Sequence, residues 1–509
     1  MDKYILILLI VKWAIIPMFA FKNFENAGYK WWLAFIPFYS YYIWLKVAQR
    51  PIWWIPLIAI PFLGFFVIML LEVATAKAYG KFSLIKEGLA VIVPFIYLPY
   101  LGYSKSAVYQ NPRPKQKKSA LREWVDAIIY AVVSVSILKM YIFAAYTIPT
   151  SSMEKSLLVG DFLFVNKFVY GARSVITPIS FPFVMHTMPL TSETKSYSDK
   201  IELKYHRYPA LKKIKNYVPI VFNYPEGDTV STKFQSNASY YSLVRQYGYQ
   251  RVNLDKRNFG KIIYRPIDKR ESYIKRCIGI PGDTLQVIDG YAYINGIKEN
   301  HKGKLQFTYD VKTNGTRFRN SLFDELDITE NIDYNPNNSV YTLTLTEEAY
   351  NKIKNNPIVE SIVPNLQTKE DYYNQNCIKY LFPYNSNYMW TIDEYGPIYI
   401  PKKGDVLEIN STNICLYERL IETYEKNNLE IKGDKIYIND VLTDKYTVKM
   451  NYYWMMGDNR HNSADSRFWG FVPEDHIVGA PSFVWLSLNK NKNLFNGKVR
   501  WKKMFRVPK

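Results

Sequence analysis

The sequence predicts a set of transmembrane α-helices followed by a mainly β domain that carries long insertions. Three observations lead to this fold class. Apolar runs fill the chain up to about residue 104 and again from about 125 to 146, and basic residues cluster between them. The remainder is polar and rich in Tyr and Lys, with short β-like runs bounded by Gly, Asn and Asp. At 509 residues the chain is also too long for one ordinary domain.

About five apolar segments are predicted to cross a membrane. The clearest, 52–74, is interrupted only by proline and by Glu72 near its end. The first is longer than the apolar part of a signal peptide and lacks a small-residue cleavage site, which predicts a retained span. Lysines stand inside the first and last segments, at Lys12 and Lys139. The predicted spans are 4–21, 31–47, 52–74, 88–103 and about 127–146.

Basic charge sets the predicted orientation of these spans. Up to Glu123 there are 15 Lys and Arg against 5 Asp and Glu, so half of the net charge of +20 lies beside the apolar segments. The loop Ser104–Glu123 holds six of these basic residues and is predicted to face the cytoplasm. The last span then places everything after about Tyr146 outside. Nucleic-acid binding, the rival explanation of the charge, requires a recognisable module, and the sequence contains none.

The predicted domain organisation follows from these spans. Short strands are expected at 161–167, 273–280, 291–294, 405–409 and 435–438, and no internal repeat is seen. The domains are a membrane region at 1–103, a basic linker at 104–123, a last transmembrane helix at 124–147 and a β-rich domain at 148–509, with insertions at about 172–216 and 300–445.

The cysteines and histidines give no metal or redox motif. Cys277, Cys377 and Cys415 show no CxxC spacing, and the five histidines form no HExxH or Cys/His signature. No metal is therefore expected. A Cys377–Cys415 disulfide and free thiols both remain open.

A serine lies just past the last predicted span. Ser152 follows Tyr146 by six residues, so even a fully extended chain keeps it within roughly 20 Å of the bilayer. A reactive hydroxyl there would meet substrates that are still held in the membrane. Most serines are merely solvated or capping residues, and position alone distinguishes this one.

A serine nucleophile requires a base, and the sequence offers two kinds. His461 is the one histidine in a dense polar motif, although no GxSxG elbow is present. A lysine made neutral by burial is the other kind. On a strand, Lys275 would lie on an otherwise uncharged face with Tyr273 and Cys277, and Arg276 would lie on the opposite face. The strand pattern alone favours a lysine that simply reaches solvent.

A third cluster, Met456–Arg467, combines Asp, Asn, Ser and Arg between apolar flanks. This composition predicts a hydrogen-bonded loop, and a set of Asx turns would account for much of it.

Together, three blocks resemble bacterial type I signal peptidases, a family of membrane-bound serine endopeptidases with a Ser–Lys dyad. The blocks are IPTSSM with LLVGDFLFVNKFVYG, then YIKRCIGIPGD, then MMGDNRHNSADSRFWGFVP, in this order after a membrane span. They cover some 60–90 residues, so the resemblance does not speak for the first hundred residues or the insertions. It implies a signal-peptidase-like β fold, cleavage of exported preproteins after small residues of the Ala-x-Ala type, and no cofactor.

The resemblance also implies a role for each matching residue. Ser152 matches the nucleophile, Lys275 the general base, and Ser463 the hydroxyl that orients the lysine amine. The oxyanion donors match the Ser152 N–H and the Thr150 side chain, worth roughly 3–4 kcal/mol each. The supporting loop residues match Asp458, Asp465 and Arg467, and the apolar substrate pockets match Tyr146, Ile148 and Ile274. The implied location is the bacterial cytoplasmic membrane, multi-pass, with the catalytic domain outside; the implied partners are preprotein signal peptides and the lipid bilayer.

This sequence departs from the family pattern at three places. Glu154–Leu157 reads EKSL where the family usually has x-Pro-Thr-Leu, which alters the turn after the serine. A strand block beginning Arg-Gly-Asp is reduced to Pro219–Phe222, and the similar run Gly404–Leu407 lies far downstream. His461 stands where an acidic residue is common, which leaves a Ser–His pair open.

Two other function classes compete with a peptidase. A non-catalytic membrane protein could retain the β core as a binding module, and preprotein cleavage separates it from an enzyme. A transporter or channel built from the N-terminal spans is disfavoured because those spans carry few charges and no repeat.

Overall fold

The computed structural model describes residues 14–59, 63–113, 119–191, 193–300, 305–330, 332–374, 376–490, 492–493 and 496–508. Two compact units divide the chain, Met1–Ile137 and Leu138–Lys509.

The first unit consists of short helices, and its apolar core is built around the buried residues Trp44, Leu71 and Leu98. Trp44 Nε1 donates to Thr75 Oγ1 over 2.9 Å, so the buried indole N–H has a partner. The helices are α1 (Ile16–Phe19), α2 (Phe21–Asn26), α3 (Tyr39–Val47), α4 (Ile55–Ala59), α5 (Leu63–Ala78), α6 (Leu84–Ile92), α7 (Pro94–Tyr103) and α8 (Ala120–Ile137), with 3₁₀ turns at Trp31–Phe35 and Ile52–Trp54.

One helix among the described residues is long and apolar enough to cross a membrane. It is the 23-residue stretch Ala120–Ile142, formed by α8 and a π-helical turn at Leu138–Ile142. Helices α6 and α7 satisfy the same criteria only when they are taken together as one span. The two helices are bent by 119° relative to each other, at the point where Pro94 begins α7. Proline disfavours helical geometry in the residue before it.

The other predicted spans are divided or fall partly outside the described residues. The span at 31–47 consists of a 3₁₀ turn and α3, separated at Phe38, which has a φ of 65°. Residues 4–13 of the first span and 60–62 of the third lie outside the described ranges. The mainly β domain is confirmed, whereas five transmembrane helices stay a prediction.

The last predicted helix ends earlier in the structure than the expected residue 147. Helical geometry stops at Ile142, and Phe143–Thr147 is strand β1. Each of these five residues pairs with a residue of β2, from Phe143 with Asn166 to Thr147 with Phe162. An apolar run of this length fits a strand as well as a helix, so hydrophobicity alone did not distinguish them.

The second unit is built on a seven-stranded antiparallel sheet with the strand order β1-β2-β22-β3-β6-β20-β21. The other sheets have the orders β11-β12-β10-β13, β14-β7-β8-β9, β16-β17-β18, β15-β19 and β4-β5. The strands are β1 (Phe143–Thr147), β2 (Asp161–Asn166), β3 (Pro219–Asn223), β4 (Thr229–Ser231), β5 (Ile262–Tyr264), β6 (Ser272–Gly279), β7 (Thr284–Ile288), β8 (Tyr291–Ile294), β9 (Ile297–Lys298), β10 (Gln306–Thr313), β11 (Asp333–Asn335), β12 (Val340–Thr346), β13 (Val359–Pro364), β14 (Tyr395–Tyr399), β15 (Val406–Glu408), β16 (Leu429–Lys432), β17 (Lys435–Ile438), β18 (Val441–Leu442), β19 (Lys445–Thr447), β20 (Tyr452–Met456), β21 (Val472–Pro473) and β22 (Ile477–Ser487).

Short helices connect these strands. They are α9 (Tyr240–Tyr247), α10 (Tyr249–Leu254), α11 (Lys256–Phe259), α12 (Asn320–Glu325), α13 (Glu347–Lys354), α14 (Asp371–Asn374), α15 (Ile414–Arg419) and α16 (Ser466–Trp469), with a π-helical turn at Leu420–Tyr424 and 3₁₀ turns at Pro225–Asp228, Ile267–Lys269, Cys377–Lys379, Glu474–His476 and Trp501–Lys503.

The shortened strand block takes a central place in the sheet. Pro219–Asn223 forms β3, which pairs with β22 on one side and with β6 on the other. The downstream run does not replace it, because Val406–Glu408 pairs with β19 in a separate two-stranded sheet.

The predicted insertion at 300–445 is not one uniform segment. Its first part forms the sheet β11-β12-β10-β13, with its own core around Val311, Phe323 and Leu343. Its later part contributes β14, which pairs with β7 outside the insertion. We call residues 306–364 the insertion module. All three cysteines are free thiols, so the Cys377–Cys415 disulfide is not formed.

Candidate active site

The candidate nucleophile lies in the turn between β1 and β2. Ser152 is buried, with 7% of its surface exposed. Backbone bonds close the turn below it: Ile148 N donates to Asp161 O over 2.9 Å, and Leu157 N donates to Met153 O over 2.7 Å. The turn Ser151–Ser156, named here the nucleophile turn, is therefore held by the first two strands of the central sheet.

Lys275 reaches Ser152 from β6. The register of the sheet places Lys275 opposite Ile220 of β3, and two residues further on Cys277 lies opposite Met455 of β20. The Lys275 side chain is 5% exposed, and its Nζ is hydrogen-bonded to Ser152 Oγ. Two groups 123 residues apart in the chain thus meet in the interior of the domain.

Burial makes the Lys275 amine a weak base near neutral pH. Desolvation lowers its pKa to about 8, because a charged ammonium is poorly stabilised away from water. The carboxylates of Asp465 and Asp458 act in the opposite direction, and the guanidinium of Arg467 adds to the lowering. A neutral amine is therefore accessible at mildly alkaline pH, beside a serine hydroxyl.

The loop after β20 supports this pair through buried ionic contacts. Arg467 Nη2 donates to Asp465 Oδ2 over 2.8 Å, and its Nε donates to Asp465 Oδ1 over 2.9 Å. Burial opposes ionisation of Asp465, but Arg467 outweighs it and lowers the pKa of the carboxyl. Asp465 also accepts from Gly457 N over 3.1 Å, which fixes the start of the loop.

Ser463 lies beside this carboxylate and beside the nucleophile turn. It is buried, and its hydroxyl helps to lower the pKa of Asp465. Its side chain and the Ser152 carbonyl flank the same glycine, Gly457. The structure brings Ser463 close to the serine–lysine pair, while the hydrogen bond of the Lys275 amine goes to Ser152.

Asp458 pairs with an arginine that the sequence did not single out. Arg276 Nε and Nη2 each donate to a different oxygen of Asp458 over 2.6 Å, and both side chains are buried. Ser156 Oγ donates to Asp458 Oδ2 over 2.5 Å and accepts from Arg276 Nη2 over 3.0 Å. Strand alternation suggested that Arg276 faces away from Lys275, and no local signal could have identified its partner 182 residues away.

Loss of this buried pair is expected to cost stability. Asp458→Ala leaves the Arg276 charge buried without its carboxylate, which should lower the free energy of unfolding by about 3–5 kcal/mol. Urea unfolding of the purified domain measures the change. Glu360→Ala is the matched control, because it breaks an exposed pair with Lys312 and should cost less than about 1 kcal/mol. Equal losses in the two variants would contradict the assignment.

The residues that match the substrate pockets share one apolar cluster. Ile148 belongs to a buried core with Met153 and Leu163, and Tyr146 and Ile274 pack against it partly exposed. Ser272 Oγ lies 3.4 Å from the Tyr146 hydroxyl, so β1 and β6 approach each other although three strands separate them in the sheet order. The sheet therefore curls, and its apolar cluster lies next to Ser152.

Thr150 is exposed, whereas His461 is bonded within the domain. Thr150 lies just before the nucleophile turn, two residues before Ser152. His461 Nδ1 accepts from Thr308 N over 3.0 Å, and its Nε2 lies 2.9 Å from Asp393 Oδ1. Both ring nitrogens are engaged, so the contact with the Ser152 hydroxyl is made by lysine rather than by histidine.

The altered sequence after Ser152 has a conformational explanation. Lys155 stands where the family usually has proline, and its φ is 70°. Proline is restricted to a φ near −65°, so it could not adopt this conformation. Ser156, at the position of the usual threonine, supplies the hydroxyl that bonds to Asp458.

Comparison with known proteins gives matches over most of the chain. The family model described as signal peptidase, peptidase S26, matches residues 121–343 and 399–486, more than half of the chain. A second model, described as a family of unknown function, matches residues 32–112. Thus residues 32–112 and the β domain resemble different families.

Several curated relatives are signal peptidases. Signal peptidase I of Buchnera aphidicola from Schizaphis graminum is 26% identical over 380 residues, which cover 73% of this chain and 76% of the relative. Signal peptidase I of Haemophilus influenzae is 22% identical over 389 residues, 76% of each protein. Signal peptidase I of Helicobacter pylori is 38% identical over 87 residues, 15% of this chain and 28% of the relative.

Proposed function

The chain belongs to the peptidase S26 family of signal peptidases, and from this premise we propose that Ser152 and Lys275 form its catalytic dyad. As a signal peptidase I, it is a serine peptidase that acts on the signal peptides of preproteins. The assignment of the dyad rests mainly on one observation, the contact between the Lys275 amine and the Ser152 hydroxyl in the domain interior.

The proposed reaction begins with acylation of Ser152. Neutral Lys275 takes the proton from Ser152 Oγ as this oxygen attacks the carbonyl carbon of the scissile bond. The negative charge that develops on the carbonyl oxygen accepts hydrogen bonds from the Ser152 N–H and the exposed Thr150 hydroxyl. Lys275, now an ammonium, gives its proton to the departing amine of the mature protein. An ester joins the signal peptide to Ser152.

Deacylation uses the same two groups. Lys275 takes a proton from a water molecule, which attacks the ester carbonyl and releases the carboxylate of the signal peptide. The proton then returns to Ser152 Oγ. The buried pairs Arg467–Asp465 and Arg276–Asp458 stay unchanged through the cycle. The first holds the loop after β20, and the second joins this loop to β6, the strand that carries Lys275.

The curled sheet supplies a groove for an extended substrate. Strand β1 ends the sheet order and approaches β6, so a peptide lying between them would pass Ser152 in extended form. Ile148 is buried in the apolar cluster, and Tyr146 and Ile274 are partly exposed beside it, so we expect the site to accept small apolar side chains. This arrangement favours Ala-x-Ala cleavage sites.

The membrane placement is also a proposal. Helix Ala120–Ile142 crosses the bilayer, with the basic segment before it in the cytoplasm and the β domain outside, and the other apolar segments add further spans. Because the helix ends at Ile142, Ser152 follows the helix end by ten positions, which limits its distance from Ile142 to about 35 Å. The substrate is thereby a peptide at the outer surface of the cytoplasmic membrane.

Cleavage of a preprotein in detergent tests the function. The full-length chain should release a mature protein whose first residue follows an Ala-x-Ala sequence, as read by N-terminal sequencing. Replacing the alanine before the cleavage site by phenylalanine should reduce cleavage by about 10²-fold or more, because the aromatic ring does not fit the apolar cluster. Undiminished cleavage of the phenylalanine substrate would contradict the proposed pocket, and no cleavage of either would contradict the function.

A further inference from the structure

We propose that the loop Asp327–Glu330 of the insertion module is a positioning element for the nucleophile turn Ser151–Ser156. The proposal rests on Ser152 being the nucleophile, and it assigns a role in the reaction to a segment outside the signature blocks. Three residues of the loop contact the nucleophile turn or the residues that hold it.

Asp327 contacts Lys155, the residue of the nucleophile turn that has a positive φ. Lys155 Nζ donates to the Asp327 carbonyl oxygen and lies 3.3 Å from Asp327 Oδ2. Lys155 has a φ of 70°, a conformation that a non-glycine residue rarely adopts without support. The ion pair thus anchors the side chain of the one residue in the turn with left-handed backbone geometry.

Thr329 contacts the neighbouring residue of the turn. Its hydroxyl donates to Glu154 Oε1 over 3.3 Å. Glu154 is buried, and among the described residues its second oxygen, Oε2, has no hydrogen-bond partner. Burial and the nearby Glu330 carboxylate raise the pKa of Glu154, whereas the Lys155 charge, a backbone hydrogen bond at Val159 and the Thr329 hydroxyl lower it. Thr329 is therefore one of the few groups that stabilise this buried side chain.

Glu330 connects the loop to Ser151 and Ser152, two of the three serines of the turn. Its Oε2 accepts from Asn459 Nδ2 over 3.2 Å and from Asn462 Nδ2 over 3.4 Å. Asn459 N donates to the Ser152 carbonyl over 3.1 Å, and Asn462 Nδ2 donates to Ser151 Oγ over 3.1 Å. One carboxylate therefore orients the two asparagines that bond to Ser152 and to Ser151, its neighbour in the turn.

The loop is packed into the core of the insertion module. Ile328 is buried in the core of the module with Phe323, and Ile328 N donates to Phe323 O over 2.8 Å. Strand β10 of the same module is also bonded to the loop after β20, because Gln306 N donates to Asp458 O over 2.9 Å. The module therefore contacts both the nucleophile turn and the loop after β20, which contains Asp458.

Glu330→Ala and Glu330→Gln test the proposal in the full-length protein. We expect Glu330→Ala to lower kcat for preprotein cleavage by roughly tenfold, with KM and Tm little changed, because a misplaced nucleophile slows the chemical step. Glu330→Gln keeps an amide oxygen as an acceptor and should stay within about threefold of wild type. Thr329→Val, an isosteric change, should also lower kcat while the protein remains folded.

Hydrogen–deuterium exchange gives a readout that does not depend on activity. Backbone amides of the nucleophile turn should exchange faster in Glu330→Ala than in wild type. A matched control is the Lys312→Glu/Glu360→Lys exchange, which reverses an exposed ion pair in the same module away from Ser152. That variant should match wild type in kcat and in exchange of the turn.

The outcomes separate this proposal from the proposed function. Unchanged kcat and unchanged exchange of the turn in Glu330→Ala would overturn the positioning role, as would an equal change in the control. Loss of kcat in proportion to a fall in Tm would make the loop merely structural and would also overturn it. Failure of wild type to cleave any preprotein would instead overturn the proposed function, while the exchange measurement would still decide the positioning.

Discussion

Replacing Lys275 by alanine is expected to reduce preprotein cleavage by on the order of 10⁴-fold or more. The Lys275 amine is the group hydrogen-bonded to Ser152 Oγ, and both nitrogens of His461 are engaged elsewhere. Without the amine, the serine proton has no acceptor as the oxygen attacks. Ser152→Ala should cause a loss of similar size, and the double variant should lose no more than either single one, because the two groups act as a unit.

The pH dependence gives an independent measure of the same amine. The pKa of Lys275 is lowered to about 8 by burial, and only the neutral amine accepts a proton. We therefore expect kcat/KM to fall about tenfold per pH unit below pH 8 and to level off above it. Lys445→Ala, which removes an exposed strand lysine, should leave both the rate and the profile unchanged. A flat profile between pH 6 and 9, or cleavage by Lys275→Ala, would exclude this lysine as the base.

The sequence could predict the site better than it could predict the contacts that stabilise it. Ser152 and Lys275 stand in signature blocks, and strand alternation placed Lys275 on an uncharged face. Arg276 was assigned to the opposite face and received no role, yet it forms a buried bidentate pair with Asp458. Its partner belongs to another strand and loop, so only the register of the central sheet reveals the pair.

The limits of the fold prediction have a similar physical origin. The mainly β domain followed from short runs and turn residues, which are local signals. The end of the last helix depended on whether Phe143–Thr147 pairs with β2, and that pairing is a tertiary contact. The parts of the predicted insertion at about 300–445 could not be separated for the same reason, since Tyr395–Tyr399 completes a sheet with β7 more than a hundred residues earlier.

The insertion module shows why composition gave no role to residues 306–364. Asn-, Lys- and Tyr-rich sequence is typical of exposed connecting segments, and parts of the module are indeed exposed. Glu330 nevertheless touches Asn459 and Asn462 across some 130 residues of sequence. A function of this kind depends on where a folded unit docks, and residue composition carries no information about docking.

Gly457→Ala is expected to lower kcat for preprotein cleavage by about 10²-fold while the protein stays folded. A methyl group at Gly457 would lie 2.6 Å from the Ser152 carbonyl oxygen and would also collide with the Ser463 side chain. A carbon and an oxygen that are not bonded to each other do not approach to that distance. Either the nucleophile turn or the loop after β20 must therefore move. The same crowding should lower the free energy of unfolding by about 1–3 kcal/mol.

The loop has little freedom to absorb this displacement. Gly457 N donates to Asp465 Oδ2 over 3.1 Å, and Gly457 O accepts from Arg460 Nε over 3.2 Å, so both of its peptide groups are tied to buried charged side chains. We therefore expect the added methyl group to displace Ser152 and to separate its hydroxyl from the Lys275 amine. Gly88→Ala is the control, because a methyl group there meets no atom within 4 Å. Wild-type kcat in Gly457→Ala would mean that the distance between the two groups does not limit the reaction.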